Sequence, residues 1–373
     1  MKIAVNTRLL LKGKLEGIGY FNYEVLRRLV LNMTEDTFYF IFDRPYDTDF
    51  IFAKNVIPIV LSPPARHPLL WFIWFEVSVA RTLKKLKPDV FLSMDNYCTL
   101  NTKTRTVLAL HDIAFVHHPS EVPRIVLAYY KYFVPKFLNR AESIITVSEF
   151  CKRDILSQFK NISSEKIHVT YNGCRSEFIP LSDDEKKSIR DQYTNGTPYF
   201  IYVGSINPRK NIATLIKAFD IFKAQTRSDV KLILVGKVAW QKEKVMTAYQ
   251  SAKFKNDIIF LGYVDAQKLP ALLGAALALT YISLFEGFGV PIIEAMACEI
   301  PVITSNCTAM PEIAKNAAIL VDPHKEQEIA TAMQNIYSDV RLRTQLIERG
   351  KIRKNDFNWD VTTKRIVEIL RKF

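Results

Sequence analysis

The sequence predicts an α/β fold of two Rossmann-like, doubly wound domains, and three observations carry that prediction. Apolar runs of strand length alternate with amphipathic helical stretches in two successive series. Several of the runs are continuously apolar, as in central strands of a parallel sheet covered on both faces. A polar, charged stretch at 175–198 separates the two series, and 373 residues exceed what one hydrophobic core ordinarily serves.

In the first series the strands are expected at 3–6, 38–42, 57–61, 90–93, 107–111, 144–148 and 167–171. Pro58 cannot donate to a ladder, so 57–61 belongs at a sheet edge. The second series places strands at 199–203, 231–235, 258–261, 277–282, 301–304 and 318–321. Helices at 20–31, 151–159, 212–222 and 326–337 supply crossovers, giving parallel sheets whose ligands bind beyond the carboxyl ends of the strands. The uncharged run 269–285 approaches membrane-span length. Pro270 and Gly274 break it, and Thr280, Tyr281 and Ser283 make its second half a buried strand.

Five dispersed cysteines without a CxxC pair, and six histidines without metal spacing, point to thiols in a reducing compartment and to no zinc site. The N-terminus reads as a strand and carries no signal-peptide apolar stretch, so a cytoplasmic location is expected. The net charge is +13, and residues 51–175 hold 17 basic against nine acidic side chains. Such a patch attracts nucleic acid, nucleoside diphosphates or anionic lipid without choosing among them. Two aromatic-rich stretches lie in that third, 70–75 (LWFIWF) and 129–133 (YYKYF). They fit contact with an anionic membrane surface, or ordinary core packing of helices.

The most informative segment is 283–297 (SLFEGFGVPIIEAMA). It reads as a strand end, a glycine turn and a helix with Pro291 at its start, so the first-turn N–H groups form an anion site. Glu286 and Glu294 could border one pocket and accept sugar hydroxyls, or they could simply complement the helix dipole. Upstream, 202–211 (YVGSINPRKN) also runs from strand into helix. Arg209 and Lys210 there could clamp a diphosphate or form a solvated basic helix start. Asp47-Thr48-Asp49 could hold a metal but also suits a plain polar turn.

Segment 283–297 resembles the E-x7-E signature of retaining glycosyltransferases of the GT-B fold, family 4 (glycosyl transferases group 1). Residues 297–303 (ACEIPVI) resemble the family's A-x-G-x-P-V continuation, with Glu299 where glycine is usual. Residues 309–313 (AMPEI) and 318–323 (AILVDP) resemble its next two elements, and 357–360 (FNWD) opens what resembles its closing helix. The likeness implies an acceptor domain over 1–178, a donor domain over 190–355, and a helix at 356–373 crossing back to the first. The two domains would face a central cleft.

The resemblance further implies that Glu286 and His111 hold the transferred sugar, that Arg209 and Lys210 bind the donor diphosphate, and that Glu294 binds its ribose. The loops holding Ser205, Lys237 and Tyr263 resemble the stretches lining the donor, as does the turn Phe288, Gly289 and Val290. The first loop, with Gly17 and Gly19, resembles the family's glycine-rich loop against the phosphates, and Asn172-Gly173 its N-G element near the domain edge. His111-Asp112 followed by Phe115 resembles its H-D element. The implied reaction moves a mannose- or glucose-type hexose from a GDP- or UDP-sugar to a saccharide or lipid-linked saccharide, with retention, in cell-surface polysaccharide or lipopolysaccharide synthesis. It implies no metal and no cofactor, no nucleic-acid partner, and peripheral contact with the inner face of the cytoplasmic membrane. The alternatives are a nucleotide-sugar epimerase on the same fold and, on charge alone, a basic nucleic-acid-binding protein.

Overall fold

The computed structural model describes residues 1–237 and 243–373 and divides into two compact units, Met1–Asn172 with Asn358–Phe373, and Gly173–Phe357. The first unit holds β1 (Lys2–Asn6), β2 (Thr37–Phe42), β3 (Val56–Val60), β4 (Val90–Ser93), β5 (Arg105–Ala109), β6 (Ser143–Thr146) and β7 (Ile167–Val169). All pair in parallel in the order β3-β2-β1-β4-β5-β6-β7. Pro58 lies in β3, at the edge, where its missing N–H costs no ladder bond.

The second unit repeats the scheme with β8 (Tyr199–Val203), β9 (Lys231–Val235), β10 (Ile258–Gly262), β11 (Ala278–Tyr281), β12 (Val302–Ser305) and β13 (Ile319–Val321). Their order is β10-β9-β8-β11-β12-β13, again parallel. In both sheets the order reverses at one place, between β1 and β4 and between β8 and β11, the kind of crevice that binds ligands in open α/β sheets.

Three expectations shift. Strand β5 ends at Ala109, so His111 stands two residues beyond it; Leu110 N–H still donates to Ile145 at 2.8 Å, but the His111 N–H turns to Asn96 Oδ1 at 2.9 Å. The polar stretch that suggested a linker is a helix, Asp183–Thr194, whose start is a capping box of Ser182 and Glu185. The chain changes unit earlier, between Asn172 and Gly173. The run 269–285, by contrast, breaks as expected into a short helix, Leu269–Gly274, and the buried strand β11, and no helix among the described residues is long and apolar enough to cross a membrane.

The last helix, Trp359–Leu370, belongs to the first unit. Trp359 meets Phe21 edge-on at 5.8 Å, Arg28 bonds Asp360 at 2.8 Å, and Arg371 forks onto Asp36 at 2.6 and 3.1 Å. Of the aromatic stretches, Trp74, Phe75 and Tyr129 are buried in the core, whereas Phe72 and Tyr132 remain 43% and 59% exposed. Trp74 is fully buried and donates from its indole to the Leu61 carbonyl at 3.2 Å. Trp74→Ala is expected to destabilise the first unit by about 3–5 kcal/mol, through the cavity and the lost bond; denaturant melts followed by near-ultraviolet circular dichroism measure it.

Candidate active site

In the second unit the loops leaving β8, β9 and β10 lock together through backbone. Gly204 N–H donates to Val235 O at 2.9 Å, Gly236 N–H to Gly262 O at 2.7 Å, and Ile206 N–H to Lys237 O at 2.9 Å. Gly236 has a φ of 141°, and a Cβ added there would lie 1.8 Å from the Gly204 oxygen, so no other residue fits. This brings three expected residues to one set of loop tips. The Ser205 hydroxyl accepts from Asn207 Nδ2 at 3.1 Å, and Lys237 Nζ stands 4.9 Å over the ring of Tyr263.

Arg209 and Lys210 follow in the 3-10 turn Pro208–Lys210, which ends at Asn211 in the left-handed conformation (φ 60°) before the helix Ile212–Thr226. The turn is tied to the end of β11: Leu284 N–H donates to Arg209 O at 2.8 Å, and Asn211 Nδ2 to Ile282 O at 3.2 Å. The two cations therefore converge on Glu286. Lys210 Nζ binds Glu286 Oε1 and donates to the Tyr281 oxygen at 3.2 Å, while the Tyr281 hydroxyl donates to the same Oε1 at 2.8 Å. Arg209 Nη1 donates to the Phe285 carbonyl at 2.7 Å and lies 3.4 Å from Glu286 Oε2. Glu286 and Lys210 are both buried, so neither a solvated basic helix start nor a glutamate serving the helix dipole describes them. Burial pushes the Glu286 carboxyl up; Lys210 and then Arg209 outweigh it and hold it down at about 2.

Gly289 takes φ 96° to turn the chain into the helix Val290–Ala297, with Pro291 in the first turn. Phe288 is buried in this turn and packs edge-on against Phe357 at 5.6 Å. Glu294 is buried on this helix but does not share the cations of Glu286. Its Oε1 accepts from Arg175 Nε at 2.9 Å and lies 2.8 Å from Arg175 Nη2. Burial raises its pKa, with Arg175 opposing. Glu299 adopts the left-handed conformation (φ 58°) that the expected glycine would take without strain, and its carboxylate meets Lys351 at 3.0 Å.

In the first unit Gly17 is the N-terminal cap of the helix Ile18–Asn32, at φ 34°. Gly19, the second residue of that helix, has the Leu9 carbonyl oxygen 3.1 Å from where a Cβ would sit. His111 is buried with Nε2 3.1 Å from the Met94 carbonyl and its ring edge-on to Phe21 at 4.9 Å. Burial lowers its pKa, so the imidazole is neutral; Nε2 must carry the proton to bond a carbonyl, which leaves Nδ1 as the acceptor. Lys12 sits between Asp47 and Asp49 at 2.9 and 2.8 Å, which accounts for that pair as a bridged turn.

Sequence reasoning missed Tyr281, Arg175 and a buried pair in the first unit, Arg8 with Asp95, which stands just past β1 and β4 where that sheet reverses. Tyr97 covers the Arg8 guanidinium at 4.4 Å. An arginine two residues past the first strand was a usable signal; the partners, 87 and 119 positions away for Arg8 and Arg175, were not.

Because the folded pKa of Glu286 lies below its ordinary 4.5, its contribution to stability is complete above that value and is lost as the pH falls towards about 2. Glu286→Gln is therefore expected to flatten that acid limb, which urea melts between those pH values measure. Lys210→Met leaves the carboxylate buried with its principal cation gone and is expected to cost about 3–5 kcal/mol.

The chain is similar to known proteins in sequence and in fold. Residues 17–178 match the family model described as Glycosyltransferase Family 4, and residues 184–353 match that of Glycosyl transferases group 1. The O-antigen chain mannosyltransferase B of Escherichia coli is 28% identical over 369 residues, covering 96% of each chain. The O-antigen chain mannosyltransferase RfbU of Salmonella typhimurium is 28% identical over 293 residues, 76% of each. The crystal structure of Anabaena HepE in complex with UDP-glucose superposes with a TM-score of 0.79 at 18% identity, covering both chains entirely, and so shares the fold. On these grounds the chain belongs to glycosyltransferase family 4, a group 1 glycosyl transferase built from two parallel-sheet Rossmann-like domains of the GT-B class.

Proposed function

We propose that this glycosyltransferase moves a mannose-type hexose from a nucleoside diphosphate sugar, GDP- or UDP-linked, to a saccharide or lipid-linked saccharide, with retention and without a metal. The observation that carries this reading is the convergence of Lys210, Arg209 and Tyr281 on Glu286 at the tips of β8 and β11, next to the start of the helix Val290–Ala297. Two fixed cations and the N–H groups at Gly289 and Val290 form a ready counter-charge for a leaving diphosphate. The mannose assignment draws on the mannosyltransferase relatives in O-antigen synthesis.

In this reading the bond from the anomeric carbon to the diphosphate breaks as the acceptor hydroxyl attacks from the same face, and the leaving diphosphate takes the hydroxyl proton. Glu286, held ionised, accepts from sugar hydroxyls; Glu294 accepts from the ribose. Ser205, Lys237, Tyr263 and Phe288 line the donor site. In the first unit His111 presents Nδ1 to the transferred sugar, and Gly17 and Gly19 keep a backbone loop bare for phosphates. A lipid-linked acceptor brings the enzyme to the inner face of the cytoplasmic membrane. The exposed Leu69, Phe72, Ile125 and Tyr132, in the same third of the chain as the excess of lysine and arginine, suit that contact.

Thermal-shift titration tests the donor site. A nucleoside diphosphate at one hundred times its Kd stabilises the fold by about 2.7 kcal/mol, and no shift with UDP, GDP or ADP sinks the reading. With GDP-mannose and an oligosaccharide acceptor, transfer is expected to persist in EDTA and to yield the α-linked product by NMR. Arg209→Ala is expected to lower kcat by about 10²–10³-fold. Phe72→Glu should weaken sedimentation with anionic vesicles while leaving transfer to a soluble acceptor unchanged.

A further inference from the structure

The donor-site reading gives Glu294 a task that its surroundings oppose. The carboxyl is buried, on a helix whose side chains at this point are otherwise apolar, and burial favours its neutral form. A protonated carboxyl accepts poorly from two hydroxyls, and a carboxylate free to rotate presents no fixed edge to them. One residue answers both problems. Arg175, three positions beyond Asn172, brings Nε to 2.9 Å and Nη2 to 2.8 Å of the same oxygen, Oε1. Its guanidinium lies over the Phe178 ring, 4.5 Å from the centroid, so the fork is braced before any ligand arrives. Both contacts fall on Oε1, which points to Oε2 as the acceptor for ribose hydroxyls.

We propose that Arg175 is the positioning residue of the donor site: it fixes the plane of Glu294 and so sets the site's affinity for the ribose hydroxyls of a nucleoside diphosphate. This rests on the donor-site reading above. Arg175 touches the ribose through Glu294 only, and its effect is on binding rather than on the transfer step. The other groups around the carboxyl are Glu177, which disfavours its charge, and the thiols of Cys174 and Cys298, with Lys354 acting on both thiols. Arg175 is the cation that acts on it directly.

The test is calorimetric titration of the full chain with UDP and GDP, and with their 2′-deoxy forms, between pH 5.5 and 8.5. The panel is the native chain, Arg175→Ala, Arg175→Lys and Glu294→Gln. In the native chain the 2′-deoxy nucleotide should bind about tenfold more weakly, one charge-assisted hydrogen bond being at stake. Arg175→Ala should weaken UDP or GDP binding by a similar factor, shrink the deoxy penalty, and lose further affinity as the pH falls, since Glu294 then protonates at a higher pH. Arg175→Lys should restore most of the pH profile but only part of the deoxy penalty. In the Glu294→Gln background Arg175→Ala should add little. A merely structural arginine would lower Tm and leave the deoxy penalty and pH profile unmoved; that result, or tighter binding by Arg175→Ala, overturns the proposal. If Arg175→Ala does not fold, the Arg175→Lys profile decides alone. A native chain that binds none of the nucleotides overturns the donor-site reading and this proposal together, whereas native binding with unaltered variants overturns only the role of Arg175.

Discussion

A carboxylate with two cations and a phenol around it, out of water, organises the second unit. Glu286 cannot stay ionised in that position alone, and Lys210 and Arg209 would be costly to bury without it. The four side chains come from three pieces of chain: Arg209 and Lys210 from the turn after β8, Tyr281 from the end of β11, and Glu286 from the glycine loop that follows. Their mutual need fixes those pieces against one another. The backbone bonds from Leu284 to Arg209 and from Asn211 to Ile282 are the main-chain expression of the same constraint. The cluster thus contributes less to net stability than to choosing one arrangement of loops.

Much of this was legible in the sequence because it is local. Continuous apolar runs gave strands at thirteen places, and all thirteen form, since a central parallel strand needs little more than β-branched bulk. Glycine, proline and charged residues at strand ends marked the loops for the same reason: turn chemistry acts over a few positions. The expected strand ends lie two residues too far at β5, β6 and β7; at β5 and β7 Leu110 and Thr170 continue the ladder by one bond after the strand geometry has ended.

What was not legible is non-local. Arg175 and Glu294 lie 119 positions apart and Arg8 and Asp95 87, and no periodicity links them. The charged stretch 182–187 looked like a linker because charge density is also what the solvent face of a capped helix shows. Aromatic clusters were ambiguous in a deeper sense. Trp74 and Phe72 are two residues apart, yet one is enclosed and the other faces solvent, and only the packing of the helix decides which.

The contact between Gly236 and Gly204 has a consequence for how such a protein can change. A side chain at Gly236 would strike the Gly204 main chain, and one at Gly204 would strike the Tyr202 hydroxyl at 2.8 Å, so neither strand tip accepts a substitution without dislodging what lies beside it. Whatever ligand these tips receive, its choice can be retuned only by the side chains flanking the glycines, Ser205, Lys237 and Tyr263, on a backbone that stays put. Descendants of this fold are then free to vary their taste while inheriting the shape of the cradle unaltered.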